Sequence, residues 1–300
     1  MNFYLIGTIL NFSTILMVGA CGSYLAVKGG NYNLGGEGQV YTGGLVAAVF
    51  LAALGHLGTA GFPSVPAILL CIILSGFAGA VPAFICAVLK EFRHVNVLLS
   101  SFLLSAGTMP LIDYLVAGPC RGSDNNLLAT EFILQKYRFP SILNPSPLNG
   151  SFFAAILLCV GLFFFMKRSS FGKELGIYGK SPDFTAYSGI SSAKLNLVSL
   201  TASGFFYGLS GMLCVVGTYF TCHSGFNAGF GWNALSVSLI SLSNPILIIP
   251  SAVLVAAVTT SASQFSLMHN FGFDTGSLIQ SLLLFAIILF VVRRRKGGRK

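Results

Sequence analysis

Nine apolar runs, most of them close to 20 residues long, limit the fold of this sequence more than any other feature. They cover approximately residues 4–27, 38–55, 65–89, 96–116, 151–166, 195–220, 232–242, 246–263 and 275–292. A helix needs about 20 consecutive apolar residues to cross a bilayer. Only 8% of the residues are charged, whereas a soluble domain carries about 25%. The sequence therefore predicts an all-α, polytopic membrane protein with eight to nine membrane segments in one domain over residues 1–300.

The basic residues are distributed unevenly between the predicted connections. This distribution predicts an orientation, because lysine and arginine favour cytoplasmic loops. One orientation places 14 of the 17 basic residues inside and leaves only Arg121, Lys136 and Arg138 outside. The basic tail at residues 293–300, and with it the C-terminus, is then cytoplasmic, and the N-terminus is external.

The same orientation predicts an unusual stretch between the spans at 195–220 and 275–292. The first span leaves the cytoplasm and the second returns to it, so the residues between them start and end outside and must either cross the membrane twice or dip in and out. Asn244-Pro245 divides this stretch, and proline interrupts a helix. Two short segments, 232–242 and 246–263, that meet at this break resemble the discontinuous helices that transporters place near the middle of the membrane.

A polar turn rich in glycine separates the first two spans, with the sequence GNYNLGGEGQ over residues 30–39. Glu37 in this turn needs partners, because a carboxylate beside hydrocarbon is costly. Its predicted role is structural: it accepts hydrogen bonds from unpaired amides at the start of the next helix. The alternative is a functional group within the membrane. A second turn that organises the chain is expected near Gly229.

Two long connections are candidates for contact with other molecules. The external loop 117–150 is polar and contains several prolines, whereas the internal loop 167–194 has mixed charge and the length of a helical docking element. Within the internal loop, Gly179-Lys180-Ser181 resembles the end of a phosphate loop. Glu174 occupies the position of that motif's first glycine, so the chain is not expected to bind ATP itself.

The remaining polar motifs favour structural roles. The four histidines lie on separate connections, and neither a metal site, a nucleophile triad nor a cofactor site is expected. The basic residues form short clusters beside the spans, which disfavours nucleic-acid binding. Gly204, Gly208 and Gly211 predict close helix packing. Asp113 is expected at the membrane interface, with a role in the transport pathway as the alternative, and the pairing of Cys120 with Cys222 is left open.

Four ordered blocks resemble the permease subunits of ABC importers for simple sugars and nucleosides, in the branched-chain amino-acid and ribose permease superfamily. Residues 32–39 resemble the family's F-N-I-G-x-E-G-Q motif, and residues 89–119 its third-to-fourth span region. Residues 172–190 resemble its cytoplasmic loop, and residues 229–245 its G-F-G…N-P block. The chain departs from the family pattern at Gly176, Ser181, Phe184-Thr185, Asn233-Ala234 and Ser241.

The resemblance implies a helical permease in the lipid of the cell inner membrane, paired with an identical or sister permease subunit. A cytoplasmic ABC ATPase would drive it, and an extracytoplasmic binding protein would supply a nucleoside, a simple sugar or a riboflavin-like solute. The competing hypotheses are an ion-coupled secondary transporter and a membrane scaffold that transports nothing.

The resemblance also assigns candidate residues to two sites. The substrate-pathway or structural-turn residues are Asn33, Gly35, Glu37, Gly38, Gln39, Gly229, Gly231, Asn244 and Pro245. The expected ATPase-docking residues are Glu174, Leu175, Tyr178, Gly179, Pro182, Gly189 and Ile190. Of these, Leu175, Tyr178 and Ile190 are expected to anchor the contact, and Pro182 and Gly189 to set the turns.

Overall fold

The structure, a computed structural model, describes residues 3–56, 63–122, 127–227, 229–242, 244–268, 281, 282 and 285. Within these residues the regular structure is helical, apart from two isolated β-bridges. Seven described helices are long and apolar enough to cross a membrane, and a shorter apolar helix accompanies them. They correspond to the first eight predicted segments and confirm a polytopic helical membrane protein. The ninth segment, 275–292, lies almost wholly outside the described residues, as does the basic tail.

The helices follow one another with short connections, except between residues 117 and 151. In chain order they are α1 (Phe3–Lys28), α2 (Gly36–His56), α3 (Ser64–Arg93), α4 (Val97–Ala117), α5 (Ser151–Arg168), α6 (Ser170–Tyr178), α7 (Pro182–Tyr187), α8 (Ser192–Cys214), α9 (Phe230–Ile240) and α10 (Pro245–Met268). A π-helical turn, Val215–Tyr219, extends α8. A 3₁₀ turn covers Gln135–Tyr137.

Helix α8 lies at the centre of the bundle, where it packs against α1, α2 and α3. Glycines make this approach possible. A methyl group at Gly208 would lie 2.2 Å from the carbonyl oxygen of Ser75 on α3, and one at Gly211 would lie 1.9 Å from that of Val40 on α2. Both separations are far shorter than a van der Waals contact, so only glycine fits. The predicted packing role of these glycines is confirmed.

Contacts of the polar side chains identify the two ends of the bundle. Lys28, Lys167 and Lys180 line one cleft at the end that we call the basic end. At the opposite end, the Asn149 side chain donates a hydrogen bond to the Asn11 side chain over 3.3 Å. The lysines of this cleft, all predicted to be internal, therefore share one end of the molecule, and the loop predicted to be external lies at the other.

The loop after α4 is packed against the bundle over its described part. The Thr130 amide donates to the Cys222 carbonyl over 2.9 Å, and the Ile133 amide donates to the Phe220 carbonyl over the same distance. Ile133 and Tyr137 are fully buried. Residues 127–150 therefore form a cap that is fixed to the end of α8 and to the turn that follows it.

The break at Asn244-Pro245 lies at the basic end, not near the middle of the bundle. Both residues line the same cleft as Lys28 and Lys180. Helix α9 has only 11 residues, but α10 has 24, which makes it about 36 Å long and able to cross a bilayer. Of the two alternatives, a stretch that crosses twice fits the structure, because it reaches the basic end at Asn244-Pro245 and α10 is long enough to return. A break near the middle of the membrane is not observed. Proline suits the first position of a helix, so this dipeptide starts α10 instead of interrupting a helix.

Candidate functional site

The turn between α1 and α2 carries the chain from the basic end back into the middle of the bundle. At its start, Gly30 has a φ of +74° and packs against Gly179. At its end, Gly36 packs against the ring of Tyr207, which also contacts Gly19. Gly19 lies within α1, well away from both ends of that helix. Helix α2 therefore begins inside the bundle. Its N-terminal amides have no acceptor within the helix and are buried.

Side chains satisfy the polar groups at the start of α2. Asn33 and Gln39 exchange two hydrogen bonds between their carboxamides, over 2.9 and 3.2 Å. On α4, Ser101 accepts from the Leu34 amide over 3.0 Å, and Ser105 accepts from the Gly38 amide over 2.8 Å. The buried helix start is thus held by α4 as well as by its own turn, as buried amides require.

A second helix, α9, also begins inside the bundle and has the same local pattern. Asn227, Gly229 and Asn233 stand at the same spacing around the start of α9 as Asn33, Gly35 and Gln39 around the start of α2. Gly229 has a φ of +84°, which glycine adopts readily. The two helix starts touch, because a methyl group at Gly231 would lie 2.3 Å from the backbone nitrogen of Glu37.

Glu37 joins the two helix starts. Its side chain is buried, and its Oε2 accepts a hydrogen bond from Asn227 Nδ2 over 2.8 Å. Its Oε1 accepts from the backbone amide of Trp232 in the first turn of α9 over 3.1 Å. A carboxylate is favoured there because the amides and the dipole of a helix start attract negative charge. The predicted type of contact is confirmed, but the capped helix is α9, about 190 residues further along the chain, and not the helix that Glu37 itself begins.

Two aromatic side chains stand exposed beside this junction, and the sequence analysis did not identify them. Trp232 is 43% exposed and Phe102 on α4 is 45% exposed, with ring centroids 6.4 Å apart. Trp232 is the only tryptophan of the chain. In the sequence, its position three residues after Gly229, where a second turn was expected, could have marked it as part of the site. Its pairing with Phe102 was not visible, because 130 residues separate the two.

Asp113 lies in the C-terminal part of α4, and its carboxylate is hydrogen-bonded to other elements of the bundle. Its Oδ1 accepts from Tyr41 Oη over 2.5 Å and from Ser224 Oγ over 2.7 Å. The carboxylate therefore links α4 to α2 and to the turn before α9. The neighbouring Tyr114 is 68% exposed, and the hydrogen bonds of Asp113 are with other elements.

The expected docking segment forms α6 and α7 at the basic end, but its side chains face differently from the prediction. Leu175 and Tyr178 are buried within the chain, where Leu175 packs against Gly29 in the turn before α2. Burial, and then the nearby carboxylate of Glu91, raise the pKa of Tyr178 above its ordinary value. These two side chains therefore cannot anchor contact with a partner in this conformation, and that expectation is corrected.

The other predicted docking residues form the frame of this segment. Pro182 is the first residue of α7, Gly189 has a φ of +73° after it, and Ile190 is half-buried against the core. Gly179 packs directly on the Lys28 carbonyl oxygen, and Glu174 is half-buried beside α8. The exposed large side chains of α7 are Phe184 and Tyr187, of which Tyr187 is 93% exposed.

Among the described residues, no group of three or more histidine, cysteine, aspartate or glutamate side chains is placed to hold a metal ion. Cys120 and Cys222 are both free thiols, so the pairing that the sequence left open is not formed in the structure.

The chain is similar in sequence to several proteins named as permeases. The chain is 33% identical over 252 residues to a protein named probable riboflavin import permease protein RfuC from Treponema pallidum, over 81% of this chain and 63% of that protein. It is 23% identical to the glucose ABC transporter permease protein TsgB13 of Haloferax volcanii, over 94% of this chain and 76% of the other. It is 24% identical to the guanosine ABC transporter permease protein NupP of Bacillus subtilis, over 96% and 81%.

The chain thus spans slightly less than two thirds of the length of the Treponema protein. The model of the family described as branched-chain amino acid transport system/permease component matches residues 5–292. With that match over nearly the whole chain, the chain belongs to this permease family.

Proposed function

We propose that the chain is the membrane-spanning permease subunit of an ABC importer for a small solute that joins an aromatic ring to a sugar or polyol. The relatives named above for riboflavin and guanosine carry solutes of this kind, whereas the glucose relative does not. The chain works in the inner membrane beside a second permease subunit, with its basic end and its C-terminus in the cytoplasm. A cytoplasmic ATPase supplies the energy, and an extracytoplasmic binding protein delivers the solute to the opposite end.

The proposal that the solute contains an aromatic ring rests on the exposed pair Trp232 and Phe102. These rings lie beside the junction of α2 and α9, and their centroids are 6.4 Å apart. Stacking of a planar ring on an aromatic side chain contributes about 1–3 kcal/mol. Glu37 holds the backbone of Trp232 in place through a hydrogen bond over 3.1 Å. In this proposal the rings contact the solute, and Glu37, Asn33 and Gln39 hold the surface that presents them.

The short helix α7 is the proposed contact with the ATPase. Phe184 and Tyr187 project from it at 59% and 93% exposure, beside the exposed carboxylate of Asp183. Aromatic side chains are frequent anchors of protein interfaces because they bury a large area at a low entropic cost. The buried residues Leu175 and Tyr178 then transmit movement of the docking segment into the bundle.

An uptake assay tests the proposal. The permease is reconstituted into liposomes with its ATPase, its second permease subunit and its binding protein, and the uptake of radiolabelled riboflavin, guanosine and glucose is compared. We expect uptake that requires ATP and survives a protonophore, with riboflavin or guanosine preferred over glucose. Uptake that a protonophore abolishes while ATP stays intact would instead support the ion-coupled alternative.

A preference for glucose would support the proposal that the chain belongs to an importer, but would contradict the proposal that its solute contains an aromatic ring. The matched control for the solute is Phe153→Ala, which removes an exposed phenylalanine of α5 at 65% exposure. Phe153 is not among the contacts at the α2–α9 junction, so uptake by this variant should equal that of the unaltered chain.

A further inference from the structure

A lysine near the end of α3 ties the docking segment to the turn that starts α2. Lys90 Nζ donates a hydrogen bond to Asn31 Oδ1 over 2.7 Å and another to Tyr178 Oη over 3.3 Å. The same ammonium group lies 5.6 Å from the centroid of the Tyr178 ring. One charged group therefore holds α3, the turn at residues 29–35 and α6 together.

Further hydrogen bonds extend this cluster to the central helix. Asn31 Nδ2 donates to Asn196 Oδ1 on α8 over 3.2 Å. Asn196 Nδ2 in turn donates to the Ala87 carbonyl over 3.3 Å and lies 3.4 Å from Glu91 Oε2. Asn31 and Asn196 are both buried. Buried polar groups are costly when they lose a partner, so a movement of one member changes the positions of the others.

The turn leads directly from this cluster to the buried helix starts. Asn33, two residues after Asn31, pairs with Gln39 and donates to Ser203 Oγ over 3.1 Å. Glu37, four residues further, holds the start of α9. Helix α6 packs against the other side of the same turn, because Leu175 touches Gly29 and Gly179 touches Gly30. The turn is thus clamped between α6 and the junction of α2 with α9.

We propose that Lys90 is a positioning residue that couples movement of α6 to the start of α2, through Tyr178 on one side and Asn31 on the other. This inference rests on the proposed function, since it needs an ATPase to move α6. Lys90 does not touch the solute. It keeps the turn attached to α6, so that a displacement of the docking segment reaches Asn33 and Glu37 and does not remain at the surface.

The test measures how far a nucleotide-driven change travels. Hydrogen–deuterium exchange is recorded on the permease purified with its ATPase, with and without ATP and vanadate. In the unaltered chain, nucleotide should change exchange both in α6 and at residues 29–36. In Lys90→Met the change in α6 should persist, and the change at residues 29–36 should fall at least about threefold. Lys90→Arg, which keeps the charge and the donors, should restore it.

Two controls separate coupling from simple stability. Arg93→Met removes an exposed basic side chain from the same turn of α3 and should leave both responses unchanged. Tyr178→Phe should weaken the response at residues 29–36 alone, but should add nothing to Lys90→Met, because residues that act through one contact are not additive.

Each result decides the inference. If Lys90→Met only lowers the melting temperature and both segments still respond together, Lys90 is merely structural and the inference fails while the proposed function stands. Additive effects of Lys90→Met and Tyr178→Phe would reject it as well. If no ATPase co-purifies with the unaltered chain, the proposed function fails and the inference with it.

Discussion

Replacing Glu37 with leucine should unfold the junction of α2 and α9, whereas replacing it with glutamine should not. Leucine removes the oxygen to which the Trp232 amide and the Asn227 side chain donate over 3.1 and 2.8 Å, and leaves Asn227 only the weak sulfur acceptor of Met109 at 3.6 Å. A buried donor that loses its partner costs about 1–3 kcal/mol, so the two together cost about 2–6 kcal/mol. Proteins are stable by about 5–15 kcal/mol, and such a loss removes much of that margin.

Glutamine keeps the geometry of this contact. Its oxygen can accept from the Trp232 amide, and its NH2 group can donate to Asn227 once that carboxamide turns over. Both hydrogen bonds then join neutral groups. A hydrogen bond to a charged group stabilises a protein by about 1 kcal/mol more than a neutral one, so we expect the free energy of unfolding to fall by about 2 kcal/mol. Asn227→Ala removes one donor and leaves Glu37 with the Trp232 amide, so its loss should lie between those of the two Glu37 variants.

Size-exclusion yield, melting temperature in detergent and uptake by the reconstituted transporter check this order. Leucine should reduce the yield and the melting temperature most, and glutamine should retain most of the uptake. Full yield and an unchanged melting temperature in both Glu37 variants, together with abolished uptake in both, would refute the structural role. Glu37 would then act on the solute or on a proton.

The remaining predictions test packing, solute contact and docking. Gly211→Val should prevent accumulation of folded protein, since even a methyl group at Gly211 would lie 1.9 Å from a backbone oxygen of α2. Trp232→Ala should raise the KM for a ring-bearing solute about tenfold, as expected for about 1.4 kcal/mol of lost stacking, while Trp232→Phe retains most of the affinity and Phe102→Ala has a smaller effect. Replacing Phe184 and Tyr187 together with serine should release the ATPase on co-purification without changing the melting temperature, and unchanged co-purification would contradict α7 docking.

The sequence by itself determined where the spans are and how the central helix packs. Hydrophobic length is a local property, because each helix must satisfy its own backbone in hydrocarbon. Eight of the nine apolar runs accordingly coincide with described helices within a few residues. The close contacts of Gly208 and Gly211 could also be predicted from the sequence. Small residues at helical spacing permit close backbone contact with any neighbouring helix. The need of Glu37 for amide donors followed from its charge in an apolar chain.

Only the tertiary structure decided which partners met these needs. Glu37 could have capped any nearby helix start, and its choice of α9 depends on how α2 and α9 enter the bundle. Similarly, Asn244-Pro245 marks a helix boundary in the sequence, but its depth depends on the route of the chain from α9. Which face of α6 is buried, and therefore why Leu175 and Tyr178 point inward, depends on packing against the turn at Gly29. Such contacts join residues far apart in sequence, and no local pattern encodes them.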